Sequence, residues 1–262
     1  MKALLSAFWA ETLKARRSKI SVLTAAGFLI LPLIAGLFMI ILKDPERARA
    51  MGLISVKAQL AAGVADWPTF FGMLTQGTAI GGGVLFAIIT AWVFGREFSD
   101  RTAKELLALP TPRAIIVAAK FVLTGLWALG LSLMVFAIGL GIGTAVDIPG
   151  WSFELQSASF WSLITIAFLT WMLMGFVALF ASAGRGYLPP LGWAFFTLTL
   201  AQIAAALGWG DWFPWSVPAL LSGMAGPSAQ QIGMHSYVLV ALAFMIGVAA
   251  TIAWWRSADQ AR

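Results

Sequence analysis

Between Gly95 and Pro112 the chain gathers Arg96, Glu97, Asp100, Arg101, Lys104 and Glu105 around the apolar residues Phe98, Leu106 and Leu109. On a helix Phe98, Thr102, Leu106 and Leu109 share one face, while Asp100, Arg101 and Lys104 point elsewhere. Glu97 with Arg101, Asp100 with Lys104, and Arg101 with Glu105 stand at i and i+4, where each opposite-charge pair is worth about 0.2–0.5 kcal/mol. This predicts a short charged helix with an apolar stripe, which is the shape of a docking element; a solvated connector is the plainer reading. Pro110 and Pro112 end that helix near Leu109, and Thr111 is placed to cap the next one, with Pro112 at its first position.

Other reactive constellations are missing. None of the seven lysines is followed by Ser or Thr, so the phosphate-binding loop of nucleotide hydrolases is absent. Without cysteine there are no thiolate metal sites, disulfides or cysteine nucleophiles, and the single histidine, His235, argues against a conventional metal cluster. His235 reads as an interfacial histidine near the end of the last apolar run, with substrate or metal contact as the sharper alternative. Ser182 lacks the flanking residues of an intramembrane serine nucleophile. No catalytic residue, no metal site and no cofactor in the chain itself is expected.

The elements that must carry the charged segment follow from composition. The chain is 60% hydrophobic and 11% charged, with a mean hydropathy of +0.89, against about 45–50% apolar and about 25% charged in soluble domains. A soluble fold would lack a polar surface. The predicted fold class is therefore all-α, a polytopic integral membrane protein forming a single transmembrane domain over residues 1–262. Six apolar stretches can cross a bilayer: 20–42, 70–94, 115–146, 159–183, 188–207 and 233–255. The first is too long for a secretory signal core and reads as a retained anchor. No ionisable residue is expected in the interior of any span. The third stretch exceeds the bilayer and should project its Lys120 end into the headgroups. Carriers coupled to ions or protons usually place charge at membrane depth, so this absence disfavours them.

Residues 1–19 form an amphipathic pattern: Leu4, Leu5, Phe8, Trp9 and Thr12 on one face, Glu11, Lys14 and Arg17 opposite. That predicts a helix lying in the membrane interface. In the first outer loop Leu53, Val56, Leu60, Val64 and Trp67 also follow helical spacing. Residues 208–231, dense in Trp209, Trp212, Pro214, Trp215 and Pro218, read as a re-entrant or interfacial hairpin. Of the seventeen lysines and arginines only Lys43, Arg47, Arg49 and Lys57 fall in outer loops if both termini are cytoplasmic, which predicts that orientation in the cell membrane. The net charge of +6 then reflects topology and anionic lipid headgroups, with no nucleic acid as partner. Gly77 with Gly81 and Gly139 with Gly143 have the small-xxx-small spacing of closely packed helices, either within one chain or against a second copy. Gln76, Thr78 and Gln202 are the polar side chains available to line a pathway through the spans.

The string Gly95-Arg96-Glu97-Phe98-Ser99-Asp100-Arg101-Thr102, then Leu106-Leu107-Ala108-Leu109-Pro110, Arg113 and Ala119-Lys120-Phe121, resembles the first cytoplasmic loop of type-2 ABC exporter permeases, most of all their bacitracin-resistance branch. Glu11-Thr12-Leu13-Lys14-Ala15-Arg16-Arg17-Ser18 and Trp212-Phe213-Pro214-Trp215-Ser216-Val217-Pro218 are similar to that branch too. The resemblance spans essentially the whole chain and departs from it at Arg101-Thr102, where many members carry Gly-Thr. It implies a six-span permease subunit working as a pair, likewise two copies of an ABC ATPase that hold ATP and Mg. It implies export of a drug, peptide or lipid-like substrate. It also implies a coupling helix in the 95–112 loop, with Glu97, Phe98, Arg101, Thr102, Lys104 and Leu106 as the contacts with the ATPase. The alternatives left by the residues alone are a secondary carrier, or a membrane assembly or sensor subunit without an ATPase.

Overall fold

Apolar runs that must bury every backbone N–H and C=O without water fold as helices, and the computed structural model describes residues 2–44, 52, 63–108, 110–224 and 232–258 as an all-α protein. An N-terminal helix α1 (Lys2–Arg16) leads through Arg17 and Ser18 into α2 (Lys19–Lys43). The helix α3 (Trp67–Ser99) is followed by the five-residue α4 (Ala103–Leu107) and by α5 (Arg113–Ala145). One further span is split at Leu173 into α6 (Phe153–Met172) and α7 (Met174–Ala183); α8 (Leu188–Ala206) follows. Two 3-10 turns, Gly210–Trp212 and Pro214–Ser216, and the short α9 (Val217–Leu221) then lead to α10 (Met234–Ser257). Six of these segments are long and apolar enough to cross a membrane: α2, α3, α5, α6 with α7, α8 and α10. The molecule is a polytopic membrane protein.

Helix ends are written locally. The Asp66 carboxylate accepts the Thr69 N–H at 2.9 Å, with Pro68 in the first turn of α3, and Ser152 Oγ accepts the Leu155 N–H at 3.1 Å to start α6. The far ends close differently. After α3 the Arg101 N–H bonds to Phe98 O and the Thr102 N–H to Glu97 O; after α5 Asp147 and Ile148 repeat the pattern, and after α7 Arg185 and Gly186. These are Schellman closures, which need a left-handed residue, usually glycine. Here Arg101, Asp147 and Arg185 take that place with φ of 60°, 55° and 51°.

The helix α3 runs through the middle, packed on α2, α5, α6, α7 and α8, while α8 is the least covered span. At one end of the bundle an aromatic column, Trp67, Phe71, Phe136 and Phe160, joins α3, α5 and α6, with Phe71 stacked on Phe136 at 5.7 Å. Gly143 lies under the Trp67 ring, Gly139 against Leu74, and Gly77 and Gly81 against Leu31 of α2. All four singled-out glycines therefore meet side chains of their own chain. Among the described glycines the closest backbone-to-backbone approach between helices lies elsewhere: α7 and α10 cross at Gly175 and Gly247.

Several sequence expectations change. The helices extend beyond 70–94 at both ends, begin before 159 and end after 255. Thr111 does not cap α5, which begins at Arg113 after Pro112 with no side-chain cap bond. Trp67, expected on a surface helix, is the first residue of α3 and is buried, whereas positions 53–62 of that expected helix lie outside the described residues. The 208–231 segment is described to Met224, packed between α8 and α10; Ser216 Oγ donates to Ala201 O at 3.0 Å. Trp209 and Trp212 are exposed there, and 225–231 lie outside the described residues.

Candidate functional site

Lys120 stands two turns into α5 and is completely buried. Its side chain turns to α1 and α3 and not outward, because α1 packs over that end of the helix. Its ammonium donates to Glu97 Oε1 of α3 at 2.9 Å, to Glu11 Oε2 of α1 at 3.0 Å and to Val93 O at 2.7 Å. Lys14 closes the figure from α1, donating to Glu11 Oε1 at 2.7 Å and to Glu97 Oε1 at 2.9 Å. Each lysine thus touches both glutamates, and two positive and two negative charges cancel inside the protein. Compensation of this kind is what a buried charge requires, since an isolated one costs several kcal/mol. Burial by itself pushes the Lys14 ammonium down, but Glu97 and Glu11 more than offset it and hold the group above its ordinary value. A raised lysine contributes its stability at neutral pH and loses it only as pH climbs beyond the usual lysine range.

The square also sets how α1 lies on the bundle. Its polar face, Glu11 and Lys14, turns into the bundle against α5, and its apolar residues Leu5 and Trp9 are left outside. Sequence reasoning missed Glu11, Lys14 and Lys120 as a unit. The signal was present in Lys120 itself, a charge inside an apolar helix that demands a partner.

From the square α3 continues to Ser99 and stops. Arg101 then turns the chain, so the helix expected from Phe98 through Leu109 is two pieces, with α4 beginning only at Ala103. The break removes the expected i and i+4 pairs: Glu97 faces the lysines, and Asp100 pairs backward with Arg96 at 3.2 Å on the surface. Phe98 packs edge-on against Trp254 and Trp255 of α10 at 5.5 and 5.8 Å, so it anchors the loop to its own bundle. Trp255 donates its indole N–H to Ser182 Oγ of α7 at 2.9 Å. Arg113 caps the same helix, donating through Nη1 to the carbonyls of Trp255, Arg256 and Ala258, the favoured place for a cation at a helix C-terminus. Leu106 is half-buried, Arg101, Thr102 and Lys104 are exposed, and Leu109 lies outside the described residues. A Cβ on Gly95 would lie 2.9 Å from Gly186 O, so the short Gly184–Tyr187 turn sits on the base of this loop.

The strained turn invites a test. Arg101→Gly removes the left-handed penalty of a side chain that makes no hydrogen bond or ion pair among the described residues. Unfolding in detergent should show a gain of up to about 1 kcal/mol; a loss would reveal a contact of the guanidinium.

The other sequence candidates do not converge. Gln76 lies in an apolar groove between α2 and α3 with Leu31, Phe38 and Met73. Thr78 is fully buried and donates to Leu74 O at 2.8 Å, and Gln202 is exposed on α8. A separate apolar cavity lies between α3, α7 and α8 under Trp215 and Pro218, with Thr170 and Thr197 in its wall. Both hydroxyls donate within their own helices, leaving the cavity an apolar lining. His235 pairs with Asp211 at 3.2 Å under the stacked Trp212 ring. No group of three or more His, Cys, Asp or Glu that would hold a metal occurs among the described residues.

Glu97, Phe98 and Arg113 thus tie the two ends of the 99–112 loop to α1, α5 and α10. Residues 7–201 match the family model described as ABC-2 family transporter protein. The bacitracin transport permease protein BCRB of Bacillus licheniformis is 26% identical over 179 residues, covering 67% of this chain and 84% of that protein. The family match takes in α1 from residue 7, the charge square and every span through most of α8, and on it the chain belongs to the ABC-2 family of transporter proteins as a membrane-embedded permease.

Proposed function

We propose that two copies of this chain form the pathway of an exporter driven by two ABC ATPase subunits, which bind the ATP and Mg. The observation that carries this reading is the construction of the 99–112 loop: its surface is exposed and charged, while its base is fixed by Glu97, Phe98 and Arg113 to three helices. A contact surface built in this way moves its spans when it is moved, and binding of ATP on the partner supplies the differential stabilisation between two states. The apolar cavity beneath Trp215 suits a drug, peptide or lipid-like substrate, and the bacitracin transport permease is a relative of that kind. Both termini are cytoplasmic in this reading, supported by the lysine and arginine distribution. Since the chain has no cysteine, Ser99→Cys should resist an impermeant thiol reagent on intact cells and Met224→Cys should react; the reverse pattern overturns the orientation.

Copurification of a nucleotide-binding chain in detergent tests the partnership. Coupling is tested by substitution within that complex. Phe98→Ala and Leu106→Ala remove apolar anchors worth roughly 2 kcal/mol or more and should abolish substrate-stimulated ATP hydrolysis while insertion persists. Lys104→Ala, an exposed rim charge worth about 0–1 kcal/mol, should lose far less. Intact stimulation in both apolar variants would move the coupling element to the Arg185 turn or to α1.

A further inference from the structure

The accessible surface of α1 is apolar and cationic, without an acidic residue. Glu11, its one carboxylate, is turned inward and neutralised by Lys14 and Lys120. What remains outside is Leu5 at 61% and Trp9 at 64% exposure, and a basic group of Arg16, Arg17 and Lys19 where α1 meets α2, with Lys2 at the other end. An interfacial helix of this kind inserts its leucine and indole among acyl chains and sets its cations at the phosphate level. The ordinary cost of a helix lying against a bundle, an acidic group facing the lipid phosphates, has been removed by the charge square.

We propose that α1 is a binding surface for anionic phospholipid, with Arg16, Arg17 and Lys19 gathering the headgroups and Leu5 and Trp9 fixing the depth. The partner follows from charge complementarity: a zwitterionic headgroup offers no net attraction to the basic group, whereas each lysine or arginine close to an anionic surface adds to binding. Together three such residues should enrich anionic over zwitterionic lipid by about tenfold or more.

The experiment uses the full-length chain in nanodiscs of phosphatidylcholine, with or without phosphatidylglycerol. Ser6 is exposed on α1 and becomes the only thiol when changed to cysteine, so a spin label there reports on α1 alone. Expected are immobilisation of the label and a rise of several degrees in unfolding temperature when phosphatidylglycerol is added, both reduced at high salt. Arg16→Gln, Arg17→Gln and Lys19→Gln together should remove both effects, and Arg16→Lys with Arg17→Lys should keep them. Where the neutral triple variant inserts poorly, the salt series on the otherwise unaltered Ser6→Cys chain decides. Equal behaviour in the two lipid mixtures, or a response untouched by salt, overturns the proposal.

Discussion

Lys120→Met is expected to unfold the loop end of the bundle, lowering stability by about 3–5 kcal/mol, the usual cost of removing one partner from a buried ion pair. The substitution leaves Glu11 and Glu97 facing each other with Lys14 as their only shared cation, and methionine offers nothing to Val93 O. Denaturant unfolding in detergent gives the magnitude. Adding Glu97→Gln to Lys120→Met should recover a substantial part, because it removes the uncompensated charge; Lys14→Met should cost less than Lys120→Met, since Lys14 keeps 32% of its side chain exposed. A Lys120→Met protein within about 0.5 kcal/mol of the parent, the range of ordinary surface changes, would mean the four charges do not act as a unit.

A substitution at Gly247 should be as damaging for a different reason. A Cβ there would lie 2.6 Å from the carbonyl carbon of Gly175 and 2.8 Å from the amide nitrogen of Phe176. Both neighbours are backbone, so no rotamer change relieves the overlap and α7 must part from α10. Gly247→Ala should cost about 1–3 kcal/mol as an overpacked contact, and Gly247→Leu still more. Gly130→Ala and Gly141→Ala are the controls: nothing lies within 4 Å of either added methyl, and a mid-helix glycine gives up roughly 0.8–1.0 kcal/mol relative to alanine. Their expected effect is neutral or stabilising. Unfolding curves for the four variants decide, and a tolerated Gly247→Leu would mean that α7 and α10 do not meet at this glycine.

How much of this was legible differs from residue to residue. The spans were readable because lipid demands long apolar helices, and length and hydropathy carry that demand directly in the sequence. The start of α6 was legible in principle from Ser152 and Glu154, but the apolar run alone placed it later, at 159. The charged loop was found as a location and misjudged as an object. Helical periodicity put Glu97 with Arg101, while the left-handed turn at Arg101 separated them, and an arginine gives no warning of a conformation that glycine would have announced. The glycines of α3 and α5 were legible as close-packing positions; Gly175 and Gly247, where two helix backbones meet, lie on helices distant in sequence and have no spacing motif to mark them.

Composition determined by itself that this chain spans a membrane, because that property depends on each residue's transfer free energy and needs no partner. Which charges stay in water and which pair inside was decided only by the fold. Glu11, Glu97 and Lys120 are separated by 109 and 23 positions from lysine to the two acids, and their attraction acts over a few ångströms once α1 has docked on α5. A pairwise interaction of that range has no imprint on local periodicity, so the site that joins the loop to the spans exists in the tertiary structure alone.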